Sequence, residues 1–180
     1  MNTQQTLPPL LVANPRLDQW VGFPSSGRVA VSTGRVEIGQ GVLTAMLQIA
    51  AEELEVAPER ILLQTGDTDL TPNEGYTAGS QSIQFGGVAL RMACAEVRAL
   101  FLDHAATSHG YSRADLAVRD GTITHRGEGL DVIDRFAGGL SFVVTGMSNS
   151  GGMVEIPVET DVARWLTDPA GEATPAADSR

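Results

Sequence analysis

The chain has 180 residues, of which 42% are hydrophobic and only 5% aromatic, a size and composition that allow one aliphatic-packed domain with tails. A formal net charge of −10 excludes nucleic acid and anionic membrane as main partners, because phosphate surfaces are bound by clustered Lys and Arg. The single cysteine, Cys94, excludes an internal disulfide and cannot alone anchor an iron–sulfur cluster or a structural zinc ion.

Residues 1–24 read as an extended arm, since Pro8, Pro9, Pro15 and Pro24 deny it a long helix. Leu10, Leu11, Val12, Leu17 and Trp20 are costly to leave in water, so the arm is expected to lie across a surface, its own or a partner's. The apolar run from Leu7 to Val12 is too short and too proline-broken for a signal peptide or a span, which predicts a cytoplasmic chain without direct membrane insertion. Ser25, Ser26 and Gly27 turn the chain into an expected strand pair, Arg28 to Ser32 and Arg35 to Ile38, joined at Thr33-Gly34. The pair breaks on Gly39-Gln40-Gly41, two glycines around a residue that carries both an amide donor and a carbonyl acceptor. A helix follows, with Val42, Met46, Ile49, Ala50 and Leu54 at helical spacing. Its first amides lack intrahelical partners, which suits an anion or the polar edge of a heteroaromatic ring. Glu52, Glu53 and Glu55 oppose the dipole at its end and read as a solvated face or a partner contact.

Pro58 ends that helix, and Ile61 to Leu63 form a short buried strand. From Gly66 to Ser82 the polar, glycine-containing sequence predicts a long loop, a feature that is usually functional or disordered. A second helix carries Ile83, Gly87, Leu90, Cys94, Val97 and Phe101 as one stripe. Thr77, Ser80 and Ser82 place hydroxyls at its start around Gly79, more than one N-cap needs, and the set has the chemistry of a phosphate cradle. Gly86 and Gly87 inside the helix each cost about 1 kcal/mol against alanine, which implies close packing of another backbone or a ligand. His104 and His109 fall at the helix end, where the dipole favours imidazolium, and read as surface caps; His125 has no evident partner. Asp120-Gly121 predicts a hairpin turn between Leu116–Arg119 and Thr122–Thr124, residues 127–140 a connector, and Leu140 to Thr145 one more strand. Residues 146–180 read as a linker and a disordered tail, in which Val154 to Trp165 offers one further strand or short helix. This divides the chain into an arm (1–24), an α+β domain of short strands with two principal helices (25–145), and the remainder (146–180).

The segments GRVEIGQGVLTAMLQIAAEEL and TPNEGYTAGSQSIQFGGVALRMACAEVRALFL, two separated motifs each followed by a helix, resemble the molybdenum-binding subunit of the xanthine dehydrogenase and aldehyde oxidase family. The likeness runs from about residue 7 through residue 140 and is strongest to the branch with isoquinoline oxidoreductase and nicotinate dehydrogenase. It implies one of the molybdopterin-binding domains of a molybdenum hydroxylase, the metal being held through the cofactor and by no side chain. The GQG turn, with Ile38, Gly39, Gln40, Gly41 and Thr44, lies against molybdopterin in this picture, Gln40 bonding it. Thr77, Ala78, Gly79, Ser80, Gln81 and Ser82 supply amides and hydroxyls to its phosphate or pyrophosphate. The implied reaction hydroxylates an aldehyde or N-heterocycle with oxygen from water and passes electrons to iron–sulfur clusters. The implied partners are the remaining molybdenum domains and an iron–sulfur subunit. The family's glycine-rich segment with a catalytic glutamate has no counterpart here, and Glu37, Glu52, Glu74 and Glu155 do not carry that motif, so the chain alone is expected to lack turnover. Two other roles fit the same residues: a non-catalytic module for cofactor or nucleotide, and a truncated interaction protein in which the motifs serve folding.

Overall fold

A computed structural model of the chain describes residues 7–24, 28–125, 131–132, 141–143 and 153–155. The turn expected at 25–27, most of the connector 127–140, and all of 146–180 except Met153–Glu155 lie outside the described residues.

Residues 7–24 are not an extended arm. Proline is suited to the first turn of a helix, where its missing N–H has no partner to lose, and α1 (Pro9–Ala13) opens on Pro9. A 3-10 turn at Leu17–Gln19 follows, and then β1 (Val21–Gly22). Leu11, Leu17, Trp20 and Val21 are buried in the chain's own core, so the prolines shape short elements here instead of preventing them. The Trp20 indole N–H donates to the Asn14 carbonyl at 3.0 Å, which satisfies its polar atom inside the core.

β2 (Val29–Thr33) is buried along its whole length and lies at the centre of a three-stranded sheet, antiparallel to β1 and parallel to β3 (Ile61–Thr65). A parallel pair needs a crossover, supplied by α2 (Val42–Leu54), whose buried Val42, Met46, Ala50 and Leu54 form the expected stripe. The expected second strand at Arg35–Ile38 is absent. Residues 34–41 form an irregular loop, because Arg35 turns inward to a buried partner and the alternation of apolar and polar residues has no sheet to join.

The helix after Ser82 opens with a wide π turn, Ser82–Gly87, and continues as α3 (Val88–His109) packed on α2. Leu90, Cys94, Val97 and Phe101 are buried as expected, but the π turn rotates Ile83 out of the stripe and leaves it exposed. Glu53 and Glu55, expected to face water or a partner, pair instead with Arg91 (2.6 Å) and Arg98 of α3. Helix α3 ends where Gly110, at φ +69°, donates its N–H to Ala106. The dipole argument for His104 and His109 does not hold. Partial burial keeps both rings below the usual histidine range, for His104 with the charge of His109 adding to it. His125 is also accounted for, its ring 4.5 Å from that of Tyr111.

β4 (Leu116–Arg119) and β5 (Thr122–His125) form the expected hairpin, with Asp120 and Gly121 both at positive φ as a two-residue turn demands. The turn clips onto the end of α2, since Gly121 N–H donates to the Glu55 carbonyl and the Asp120 carboxylate accepts from Ala57 N–H, both at 2.9 Å. β6 (Asp131–Val132) pairs with β5, and β7 (Ser141–Val143) pairs with β8 (Met153–Glu155). The fold class is α+β, with α2 and α3 its two principal helices.

Candidate functional site

Two loops make the site. The first, residues 34–41, leads from β2 into α2. Gly39 (φ +96°) and Gly41 (φ +73°) occupy backbone conformations that other residues adopt only under strain, and a side chain added at either would meet nothing within 4 Å. The amides of Gly41 and Leu43 at the start of α2 are not free, contrary to expectation. The Glu37 carboxylate folds over them, accepting from Gly39 N–H and Gly41 N–H at 2.8 Å and from Leu43 N–H at 3.2 Å. The Gly41 N–H, then that of Leu43, hold Glu37 below the usual carboxylate range, with Gly39 and Gln40 adding to the effect. Gln40 uses both ends of its amide on its own loop, accepting from Ile38 N–H at 2.7 Å and donating to the Val36 carbonyl at 3.1 Å.

Because Glu37 is ionised more readily in the folded chain than in the unfolded one, its capping stabilises fully above the unfolded pKa, near 4.5, and is lost as pH falls through the lower folded value. Glu37→Gln is therefore expected to flatten the acid limb of stability. Unfolding temperatures compared between about pH 6 and about pH 3 check this, the wild-type chain losing more than the variant.

The second loop, residues 66–81, is tied down at several points. Asn14 donates from its amide to the Asn73 carbonyl at 3.0 Å and accepts from Asn73 N–H at 2.9 Å, so the N-terminal segment anchors it. Glu74 is buried against Arg35 of the first loop, and the Thr77 hydroxyl oxygen accepts from Val36 N–H at 3.1 Å. These contacts bring the loops together around a cleft of about 430 Å³.

Ile38, Gln40 and Gly41 line the cleft from the first loop, and Thr77, Ala78, Gly79, Ser80 and Ser82 from the second. Gly39, Thr44 and Gln81 do not line it. Sequence reasoning missed Val42, Ala45 and Ile83, which supply its apolar surface; Ala45 was legible as the residue one turn into α2 from Gly41. It also missed the buried contact between Arg35 and Glu74 that joins the two loops. No hydroxyl of the second turn makes a side-chain cap on the helix after it. The amides of Gly79 and Ser80, both at positive φ, take no partner among the described residues. The expected ligand or backbone over Gly86 and Gly87 is instead side chains of this chain, the Arg35–Glu74 pair at Gly86 and Ile49 at Gly87.

The chemistry is that of an anion site. In a chain of net charge −10 no charged side chain lines the cleft, while hydroxyls, open amides and the start of a long helix do. These donors fit the phosphate of a pterin cofactor, and the open glycines with Val42, Ala45 and Ile83 fit a flat ring system. Among the described residues no group of three or more His, Cys, Asp or Glu is placed to hold a metal.

Comparison with known proteins agrees with this chemistry. Residues 7–157 match the model of the molybdopterin cofactor-binding domain. A nicotinate dehydrogenase subunit of Pseudomonas putida is 35% identical over 104 residues, 58% of this chain and 9% of that protein. The gamma subunit of the 6-hydroxypseudooxynicotine dehydrogenase complex of Paenarthrobacter nicotinovorans is 43% identical over 72 residues, 40% of this chain and 9% of that protein. Among solved structures, reconstituted CO dehydrogenase from Oligotropha carboxidovorans superposes with a TM-score of 0.54 at 28% identity, covering 61% of this chain and 14% of that one. The chain belongs to the molybdopterin cofactor-binding domain family, and its cofactor is molybdopterin. It spans about a tenth of the length of these curated relatives.

Proposed function

We propose that the chain is the cofactor-binding portion of a molybdenum hydroxylase that oxidises an aldehyde or N-heterocycle with oxygen from water. It works with the remaining molybdenum domains and an iron–sulfur partner, in the cytoplasm; two of its relatives are themselves named as subunits. The observation that carries this reading is the uncharged cleft built jointly by the Gly39–Gly41 loop and the Thr77–Ser82 turn. Among the described residues no helix is long and apolar enough to cross a membrane.

In this reading the amides of Gly79 and Ser80 and the hydroxyls of Ser80 and Ser82 hold the cofactor's phosphate. Val42, Ala45 and Ile83 shield the ring from water, and Ile38, Gln40 and Gly41 bound the other side. When bound, molybdopterin supplies a redox-active molybdenum held by its own dithiolene sulfurs. Glu37 caps α2 and is not free to act as a base, and no carboxylate of the described residues lines the cleft, so in this reading proton abstraction falls to the remaining domains.

Coexpression with the partner subunits in a host that makes molybdopterin, followed by fluorimetry of the oxidised pterin, tests the assignment. Gly79→Val, which crowds the turn at a positive φ, is expected to cut pterin content about tenfold or more while the chain stays folded. Wild-type pterin content in that variant would contradict it.

A further inference from the structure

Arg35 and Glu74 are held out of water, with side chains 1% and 0% exposed, and Arg35 Nε stands 3.4 Å from Glu74 Oε1. A buried ion pair is a poor way to gain stability, because desolvation offsets the attraction and well-packed apolar residues often do as well. What it supplies is direction. Each charge is also bonded to the opposite loop: Arg35 Nη1 donates to the Tyr76 carbonyl at 2.5 Å, next to Thr77 of the cleft. Glu74 Oε2 accepts from the Thr33 hydroxyl at 2.5 Å and from Gly34 N–H at 2.6 Å, at the root of the first loop. The backbone makes room for these contacts. A Cβ on Gly34 would stand 2.5 Å from the Pro72 carbonyl oxygen, and one on Gly86 would overlap Glu74 Oε1.

We infer that Arg35 and Glu74 are positioning residues that fix the spacing of the two cleft walls and, through it, the affinity for molybdopterin. Neither side chain lines the cleft; they act through Thr77 and through the loop that carries Ile38 and Gln40. The affinity half of this inference rests on the cofactor assignment above, whereas the spacing half does not.

The test uses the full chain with spin labels at Ile38→Cys and Ser80→Cys, one on each wall. Cys94 is buried and burial pushes its thiol far up, so it stays unlabelled. Pulsed electron–electron distance measurements are compared for the wild-type background, Glu74→Gln, and the double variant Arg35→Met with Glu74→Met. The wild-type background is expected to give one narrow distance and both variants a broad one. The double variant is expected to recover unfolding temperature but not the narrow distance. If the closed spacing falls to about one molecule in ten, molybdopterin retention of the unlabelled variants falls about tenfold. A double variant with wild-type spacing overturns the inference, and so does a broadened distance with unchanged retention. A wild-type chain that retains no molybdopterin even with its partner subunits would sink the cofactor assignment instead, while the distances still decide whether the pair sets the spacing.

Discussion

Gly86→Val is expected to destabilise the chain by about 3 kcal/mol, far more than the roughly 1 kcal/mol scale on which glycine and other residues differ inside a helix. The new Cβ would overlap Glu74 Oε1 and stand 3.1 Å from Arg35 Nε and 3.3 Å from Met46 Cε. None of these neighbours is free to withdraw. Glu74 is held by Thr33 and Gly34, Arg35 by Tyr76, and Met46 is fully buried between the helices and the sheet. On intrinsic helix propensity alone, valine in place of glycine would help, so the sign separates the two accounts. Urea unfolding of the two proteins side by side checks it: a lower midpoint supports the buried contact, and an equal or higher midpoint contradicts it.

Trp20→Ala is expected to cost about 3–5 kcal/mol, the range for removing a fully buried large aromatic side chain. The loss should not stay local. The indole N–H holds the Asn14 carbonyl, Asn14 holds both polar groups of the Asn73 backbone, and Asn73 lies one residue before Glu74. Thermal unfolding gives the magnitude. Faster amide exchange at Asn73 in the variant, measured well below its unfolding temperature, shows the effect travelling into the cleft loop. A variant that unfolds like the wild-type chain would mean that residues 7–24 are dispensable.

The same residues show what the sequence made legible. Helical spacing read Val42, Met46, Ala50 and Leu54 correctly, because α2 buries one face against α3 and the sheet and the period follows directly from that. Asp120-Gly121 was legible because a two-residue turn demands positive φ at both positions. Both cleft loops were found from local glycine and hydroxyl chemistry. Arg35 was read as the start of a strand since its partner, Glu74, lies in a different loop, and no local pattern reports a contact between them. Leu11, Leu17 and Trp20 were legible as residues to be buried, but the elements that carry them were not: proline spacing forbids a long helix but says nothing against a short one followed by a strand. Glu37 was legible as lacking the catalytic motif but not as the cap on Gly39, Gly41 and Leu43, since its return over the helix start depends on the fold of the GQG turn.

The central claim is that the cleft between the Gly39–Gly41 loop and the Thr77–Ser82 turn is where molybdopterin sits. Amide hydrogen exchange of the purified complex with and without molybdopterin tests it most directly. The expected result is slowed exchange at Gly79 and Ser80, with a smaller effect at Ile38, Gly39 and Gly41, whose amides already have partners in Glu37 and Gln40. Bound molybdopterin that leaves Gly79 and Ser80 exchanging as fast as before would contradict the account.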